Sequence, residues 1–293
     1  MSDFYQQARY LLMTLDPLHV GTGGHRLGRV DLSIVREPGT RLPKIPGTAL
    51  HGAIRQYAAM RYEKTSCAGS GQGKHEHCRD KNCPICYTFG YLKGQEGGQS
   101  GKVSIGDGRL LLFPVYSLAG PVWVTCPSIL AEFGLTATVA DNQVKGPVGK
   151  DHLNLGWLML PKQEGTFDLP DHIPATIKDR AVLVSDKLFS QIVNSNLEVR
   201  TSVSIDPETG AAADKALFTY EAIPRSAILW LDVVEDDFSR SFPKEIDTAK
   251  ELNHQRPLDV VTTGLKLAAY LGIGGMGTRG FGRVRLLNGE NAQ

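Results

Sequence analysis

The sequence predicts an α+β fold with a β-α-β-β-α-β, ferredoxin-like core that is interrupted by long insertions. Apolar residues recur at helical spacing in two segments, one in the first quarter and one near the end of the chain. Stretches rich in β-branched, aromatic or alternating apolar residues precede, separate and follow these two helices. The resulting order is strand, helix, several strands, helix, strand, which fits such a core.

In the first half of the chain we expect a strand, a helix and a buried hairpin. Consecutive apolar residues predict the strand over 10–15. The helix starts at the sequence Pro-Gly-Thr, with Thr48 as the candidate N-cap, and its apolar stripe includes Leu50 and Ile54. The segment 103–126 is rich in β-branched and aromatic residues, which predicts a hairpin of buried strands.

The second half is less regular until its end. The segment 138–189 is mixed and contains several prolines, so we interpret it as surface insertions. Alternating residues on either side of an Asp-Pro-Glu-Thr-Gly turn predict a long hairpin over 199–224. A strand over 227–235 follows, then a helix over 257–271 with proline at its first turn, then a strand over 281–287.

Composition is that of an ordinary globular protein. The 293 residues are 41% hydrophobic and 22% charged, with a net charge of +1. Because no apolar run approaches the ~20 residues of a membrane span and the N-terminus is polar, we expect a cytoplasmic protein with no membrane partner. A balanced total charge is compatible with a local basic track that binds an anionic polymer. Such a track consists of Arg26, Arg29, Arg36, Arg41, Lys44, Arg55 and Arg61, opposed by Asp31 and Glu37.

The glycine-rich sequence GIGGMGTRGFG at 272–282 matches the dinucleotide fingerprint G-x-G-x-x-G by its letters. That fingerprint requires a strand before it and a helix after it, whereas here the predicted helix comes first and the strand follows. A turn with glycine C-caps is the simplest alternative. A third interpretation is a backbone that approaches phosphates closely, with Arg279 within it and Arg283 directly after it.

Four of the five cysteines are clustered, with the spacing C-x10-C-x4-C-x2-C. In a cytoplasmic chain such clustering favours a metal over disulfides. Cys83 and Cys86 form a knuckle, Cys78 supplies a third thiolate, and the fourth ligand is Cys67, His75 or His77. We expect structural zinc to organise this segment, because its many polar and glycine residues are poorly suited to a core. The fifth cysteine, Cys126, lies in an apolar run and is interpreted as a core residue.

Two further features are candidate parts of a binding or catalytic site. Asp31 is surrounded by arginines, so it is either a salt-bridge partner or a catalytic or metal-binding carboxylate beside a phosphodiester. His19 and His25 are nearby candidates for proton transfer. The predicted start of the first helix offers unsatisfied N–H groups to an anion, flanked by basic residues. These flanking residues are Lys44, His51 and Arg55.

Taken in order, five sequence blocks resemble the RAMP superfamily of CRISPR-associated proteins. They are LHVGTG with LGRVDLSIVRE, then LPKIPGTALHGAIR, GDGRLLLFPVYSLAGPVWVTCP, RTSVSIDPETGAAADKALFTYEAIP and GIGGMGTRGFGRVRL. The third block is similar to the repeated backbone subunit of type III-B (Cmr-type) effector complexes. The resemblance extends from about 10 to 287. Two departures are the histidine at position 51, where the family has lysine, and the cysteine-rich insertion, which is more typical of other type III complexes.

The resemblance implies a modified ferredoxin-like, RRM-related fold whose copies stack along a guide RNA. A hairpin thumb, which we associate with 199–224, separates bases at regular intervals, and the paired target RNA is cut beside the splayed nucleotide. Asp31 aligns with the catalytic aspartate, and cleavage depends on a divalent cation, magnesium or manganese. Guide RNA contacts are implied for Lys44, Thr48, His51, Arg55, Arg279 and Arg283, and the metal ligands are expected to be Cys67, Cys78, Cys83 and Cys86.

The expected organisation is one RAMP domain over 1–293. Its core covers 9–64, 102–135 and 225–290, with a zinc-binding insertion at 65–101 and further insertions at 136–224. The predicted partners are guide RNA, complementary target RNA, further copies of the chain and other type III subunits. The alternative function is a structural guide-RNA-binding subunit that does not cleave.

Overall fold

A computed structural model describes most of the chain. The described residues are 5–23, 30–69, 77–78, 80, 82–92, 98–212, 217–243, 252 and 254–288. The predicted helices and the four clustered cysteines lie within them, and so does the predicted hairpin over 199–224 except for residues 213–216. His25, Arg26, Arg29 and His75, which the sequence singled out, lie outside the described residues.

Six helices and fourteen strands are described. The helices are α1 (Gly47–Arg61), α2 (Pro84–Phe89), α3 (Pro127–Phe133), α4 (Ala175–Lys178), α5 (Asp186–Ser195) and α6 (Pro257–Leu271). The strands are β1 (Gln6–Thr14), β2 (Tyr91–Leu92), β3 (Gly98–Gln99), β4 (Val103–Ile105), β5 (Arg109–Val115), β6 (Val122–Thr125), β7 (Val144–Lys145), β8 (His152–Leu155), β9 (Leu158–Gln163), β10 (Ala181–Val184), β11 (Glu198–Ser202), β12 (Phe218–Ala222), β13 (Ile228–Glu235) and β14 (Val284–Leu286).

One large mixed sheet organises the molecule, in the order β14-β1-β13-β5-β6-β10-β7-β9-β8, with β4 also paired to β13. β1 lies between two antiparallel neighbours, with Tyr10 opposite Leu231 on β13 and Leu12 opposite Leu286 on β14. The buried side chains of β1, β5 and β13 form the centre of the core. α1 lies between β1 and β5 in sequence, and α6 lies between β13 and β14, so these strands pair through long-range contacts.

The helices α1 and α6 pack tightly against each other. At Gly264, an added Cβ would lie 2.4 Å from the backbone carbonyl oxygen of Ile54, so a side chain there would force the helices apart. α6 begins with proline at its first position, as the sequence predicts. At its N-terminus, the backbone N–H of Arg256 donates to the Asp259 carboxylate at 3.1 Å, and the N–H of Asp259 donates to the Arg256 carbonyl at 3.1 Å.

The interpretation of 138–189 as surface insertions is wrong for much of that segment. β10 is buried along its whole length and pairs in parallel with β6 and antiparallel with β7, so it lies inside the main sheet. A buried parallel strand is a short continuous apolar run without alternation, which gives no periodic signal. The prolines around it hide the strand further.

The predicted hairpins are confirmed. β5 and β6 pair in antiparallel register. β11 and β12 form a separate two-stranded sheet with Glu198 opposite Ala222. In the connection between β11 and β12, Asp206 accepts the N–H of Gly210 at 2.8 Å, which is the turn that the Asp-Pro-Glu-Thr-Gly sequence predicts.

The cysteine-rich insertion also contributes to the main core, contrary to the expectation that it buries little. Ile85 and Phe89 on α2 are buried in that core. All six residues of this short helix are buried, so it packs into the core although the sequence around it is polar. Among the described helices, none combines the length and the apolar character that crossing a membrane requires.

Candidate functional site

Asp31 forms hydrogen bonds with Thr219 of β12. Its carboxylate oxygen Oδ2 accepts the backbone N–H of Thr219 at 2.7 Å and the Thr219 hydroxyl at 2.9 Å. In return, the backbone N–H of Asp31 donates to the Thr219 hydroxyl oxygen at 3.1 Å. The side chain is exposed at the surface, so the carboxylate is both oriented by the protein and accessible to a ligand.

The segment that carries Asp31 runs along the outer edge of β12. The backbone N–H of Leu32 donates to the carbonyl of Thr219 at 3.0 Å, and the N–H of Glu221 donates to the carbonyl of Leu32 at 3.2 Å. The segment 31–37 forms isolated bridges and no regular strand. Its partner is an edge of the β11–β12 hairpin, far away in sequence.

A buried ion pair fixes the same segment to the hairpin. The Arg36 guanidinium makes two parallel hydrogen bonds to the Glu221 carboxylate, at 2.6 and 2.8 Å, and the side chains are 16% and 9% exposed. Glu221 also accepts the backbone N–H of Ile34 at 2.9 Å. A bidentate arginine–carboxylate pair has a defined geometry, so it sets the register between the two elements.

His19 joins the hairpin to the glycine-rich loop. Its Nδ1 lies 2.7 Å from the carbonyl oxygen of Glu221, and its own carbonyl accepts the N–H of Gly275 at 2.9 Å. The ring is buried and meets Tyr220 edge-on. Next to it is an open pocket of about 450 Å³, lined by His19, Gly21, Thr22, Gly23, Leu32, Ser33, Gly275 and Met276.

The glycine-rich loop has a defined conformation. Gly272, Gly274 and Gly282 have positive φ, and an added Cβ at Gly274 would lie 2.5 Å from the carbonyl oxygen of His19. A 3-10 turn over Gly277–Arg279 presents Arg279, whose guanidinium lies 5.7 Å from the ring centre of Phe218. Because Phe218 directly precedes Thr219, the loop arginine and the Asp31 contact lie on neighbouring residues of β12.

A small aromatic cluster lies where the glycine-rich loop packs against β12. Tyr220 and Phe281 are buried against each other, with ring centres 5.5 Å apart. The Arg200 guanidinium lies 4.9 Å from the ring centre of Phe281. Arg283, just beyond, forms two hydrogen bonds with the Asp16 carboxylate at 2.5 and 3.0 Å, and these hold the pKa of Asp16 below its usual value. Arg283 is therefore a surface arginine that already has an intramolecular partner.

The N-terminus of α1 differs from expectation in two respects. Its N-cap is Pro46 and no side-chain cap bond forms, so the assignment of Thr48 as the cap is wrong; Thr48 is an exposed residue in the first turn. The N–H of Gly47 donates to Asp107 at 2.7 Å, and Lys44 pairs with the same carboxylate at 2.5 Å. The expected anion site is thus filled by the protein's own carboxylate.

Arg55 is buried and His51 is half-buried. Arg55 is 7% exposed, and its Nε donates to the carbonyl oxygen of Cys67 at 2.9 Å. His51 is half-buried and meets Phe89 edge-on at 5.3 Å. Burial, and then the charge of Arg55, lower the pKa of His51, so the imidazole is neutral at pH 7. Arg55 supports the cysteine segment because its position on α1 faces inward.

The four clustered cysteines converge on one point. The sulfurs of Cys67, Cys78, Cys83 and Cys86 all lie within 4.8 Å of one another. Two of these separations are 3.8 Å, between Cys67 and Cys83, and 4.0 Å, between Cys78 and Cys86. A tetrahedral zinc with Zn–S bonds of about 2.3 Å spaces its sulfurs by about 3.8 Å. The donor set and its spacing therefore fit such an ion.

Cys67, and not His77, completes this group of four. His77 lies outside it as a neighbour, with Nδ1 3.7 Å from the Cys86 sulfur. A hydrogen bond from Cys86 lowers the pKa of Cys83, and the converse interaction raises the pKa of Cys86, since packed thiols resist ionising together. Cys126 is buried elsewhere, as expected, and burial raises its pKa to about 12.

Residues that sequence reasoning missed are the partners of the predicted ones. Thr219, Glu221 and Asp107 each contact a predicted site residue across a large sequence separation. None belongs to a motif that specifies its partner. The alternation of Thr219 and Glu221 on one strand was visible, but the sequence does not reveal which segment that strand edge binds.

The RAMP superfamily model matches residues 11–285 of the chain. Among curated proteins, the chain is 27% identical over 305 residues to the CRISPR system Cmr endoribonuclease Cmr4 of Pyrococcus furiosus, covering 94% of this chain and 93% of that protein.

Solved structures show the same fold. A cryo-EM structure of the type III-B Cmr-beta complex bound to cognate target RNA contains a chain that matches with a TM-score of 0.68 at 16% identity, over 97% of this chain and 98% of the other. The crystal structure of oligomeric Cmr4 from Pyrococcus furiosus matches with a TM-score of 0.62 at 21% identity, over 96% and 98% of the two chains.

Proposed function

This chain belongs to the RAMP superfamily, and from that membership we propose that it is a guide-RNA-binding backbone subunit of a type III CRISPR effector complex. In this role it cleaves complementary target RNA at regular intervals by metal-dependent endonucleolysis. Its partners are guide RNA, target RNA, further copies of itself and the other subunits. The similarity to the Cmr endoribonuclease, which spans nearly the full length of both proteins, supports this assignment.

The observation that carries the proposal is the oriented, exposed carboxylate of Asp31 beside the glycine-rich loop. Thr219 fixes the carboxylate, and Arg279 lies over the adjacent Phe218. A cation such as Arg279 can neutralise negative charge on an RNA backbone that passes the loop. A guide or target backbone that crosses this junction would meet both groups.

One carboxylate suits a hydrated divalent cation that takes its remaining ligands from the RNA. Mg²⁺ is typically bound through one or two carboxylates plus substrate phosphates, and it retains several waters. Asp31 would hold such an ion, magnesium or manganese, which supplies charge stabilisation when bound. The carboxylate itself orients the ion or accepts a proton from the attacking 2′-hydroxyl.

The RNA contacts divide by exposure. We propose Thr48, Arg279 and Arg283 as contacts from the surface, with Lys44 and His51 contributing after their local partners rearrange. Arg55 was predicted to bind RNA, but its burial against Cys67 supports a structural role instead. The four cysteines hold structural zinc in this proposal, because their spacing fits a tetrahedral ion.

The expected organisation becomes part of the same proposal. A modified ferredoxin-like core is supported by the strand order β14-β1-β13-β5 with α1 and α6 between its strands in sequence. The hairpin of β11 and β12 is the thumb-associated element, and 1–293 is one RAMP domain. Its division is the one given above, except that β10 within 136–224 belongs to the main sheet. A cytoplasmic location also remains a prediction.

The decisive experiment is Asp31→Asn in the complex assembled with a guide RNA. We expect guide and target binding to be retained and target cleavage to be lost, because asparagine keeps the shape but removes the charge and basicity. Cleavage products of the wild type are expected at even intervals. Unchanged cleavage by Asp31→Asn would instead support the alternative, a structural subunit whose complex cuts elsewhere, as would an absence of cleavage in the wild type.

A further inference from the structure

We propose that Thr219 is a positioning residue for Asp31, so that the β11–β12 hairpin orients the catalytic carboxylate. The inference rests on the proposed function. It adds Thr219 to the site and couples the β11–β12 hairpin to the segment that carries Asp31.

The contact between these residues is reciprocal. The Thr219 hydroxyl accepts the N–H of Asp31 at 3.1 Å and donates to its Oδ2 at 2.9 Å. The backbone N–H of Thr219 donates to the same oxygen at 2.7 Å. Two donors on one carboxylate oxygen fix the rotation of the side chain as well as its position. The orientation of the Asp31 carboxylate relative to β12 is therefore fixed.

The hairpin cannot easily shift without moving Asp31. The Arg36–Glu221 pair and the Ile34 N–H bond to Glu221 attach the Asp31 segment two residues further along β12. Thr219 and Glu221 alternate along one strand, so their side chains project to the same side of it. The opposite side of β12 packs through Tyr220 against Phe281 of the glycine-rich loop.

The consequence is that hairpin placement and carboxylate orientation are linked. A change that moves β12 would rotate Asp31 relative to an RNA backbone held by the loop. A hydrogen bond to a charged group is stronger than one between neutral groups, and here it fixes the orientation of the reacting carboxylate. Removing the Thr219 hydroxyl should therefore slow cleavage without releasing the RNA.

The test compares Thr219→Val with Thr219→Ser in the guide-loaded complex, under single-turnover conditions with saturating Mg²⁺ and target RNA. Valine keeps the branched shape and the backbone N–H but lacks the hydroxyl. We expect Thr219→Val to lower the cleavage rate by about tenfold or more, and Thr219→Ser to restore it to within about threefold of wild type. Target affinity should be unchanged in both variants.

Thr201→Val is the matched control, because Thr201 lies directly across from Thr219 on β11. It is expected to cleave as the wild type does. Wild-type cleavage by Thr219→Val, or equal loss in the valine and serine variants, would overturn the positioning role. If Thr219→Val proves unstable, Thr219→Ala removes the same hydroxyl and is read against Thr219→Ser. Failure of the proposed function is recognised separately, as continued cleavage by Asp31→Asn.

Discussion

The carboxylate of Asp107 accepts the backbone N–H of Gly47 at 2.7 Å and thereby closes the N-terminus of α1. Lys44 donates to the other oxygen of the same carboxylate at 2.5 Å. A helix start that sequence reasoning offers to an external phosphate is thus already neutralised from within. Gly47 permits this approach, since an added Cβ there would lie 2.6 Å from the carbonyl oxygen of Ile105.

Asp107→Ala should lower the free energy of unfolding by about 1 kcal/mol at pH 7, because α1 loses its N-terminal acceptor. Burial opposes the ionisation of Asp107, but the bonds from Lys44 and Gly47 outweigh it and hold the pKa below its usual value. The stabilisation is therefore fully present above about pH 4 and is lost as pH falls through the lowered pKa. Urea denaturation at pH 7 and pH 3 measures both values.

Asp107→Asn serves as the control for that experiment, since it keeps an oxygen for Gly47 but removes the ion pair with Lys44. It should lose less stability than Asp107→Ala. If Asp107→Ala lowers the free energy of unfolding as much at pH 3 as at pH 7, the carboxylate charge does not stabilise α1.

Glycines of the 272–282 loop should differ in their tolerance of alanine. Gly274 has a φ of +89° and its added Cβ would lie 2.5 Å from the His19 carbonyl oxygen, so Gly274→Ala should destabilise the protein by about 2 kcal/mol or more. Gly277 has open space around its Cβ position, and Gly277→Ala should be within about 0.5 kcal/mol of wild type. Thermal unfolding of both variants checks this order, and equal effects would contradict the packing of the loop on His19.

Arg279→Ala should weaken RNA binding and make it less dependent on salt, because one phosphate contact releases about one counterion. Sequence preference should not change, since a phosphate contact carries no sequence information. Affinities of the assembled protein for guide RNA between 50 and 200 mM salt measure the slope, which we expect to fall by about one.

Lys187→Ala is the charge-matched control, an exposed residue of α5 outside the site. An equal weakening in the two variants would indicate a general effect of charge rather than a contact made by the loop.

Cys83→Ser should release the bound metal and destabilise the α2 region, because four converging thiols without an ion are a poor core. The expected measurement is about one zinc per wild-type chain, with a large loss in the variant, together with a lower melting temperature. Cys126→Ala is the control: it is a buried thiol outside the cluster and should keep the metal. If Cys83→Ser retains the zinc content of the wild type, Cys83 is not a metal ligand.

The elements and motifs of this protein were accessible from the sequence to different degrees. The helix at 257–271, the hairpin at 199–224 and the cysteine cluster were predicted because each is encoded by residues close together in the chain. The buried strand β10 was missed, since its partner β6 lies more than fifty residues away and a fully buried strand lacks alternation.

The burial of Arg55 shows the same limit within a helix. Arg55 is a basic residue of the amphipathic helix α1, so we expected it to be exposed and to contact RNA. Instead, its side chain is covered by the cysteine segment and donates a hydrogen bond to the Cys67 carbonyl. The residues near Arg55 in the sequence do not indicate that the cysteine segment packs against α1.

By itself, the sequence determined the kinds of chemistry present: a carboxylate among arginines, a glycine loop with arginine, and four thiols at metal-binding spacing. Local propensity and ligand spacing depend on residues close together in the chain, so they can be recognised from the sequence alone. The tertiary structure alone decided the pairings: Thr219 with Asp31, Glu221 with Arg36, and Asp107 with the start of α1. These contacts join residues sixty to nearly two hundred positions apart, and they form because the sheet and the two packed helices bring distant backbone edges together.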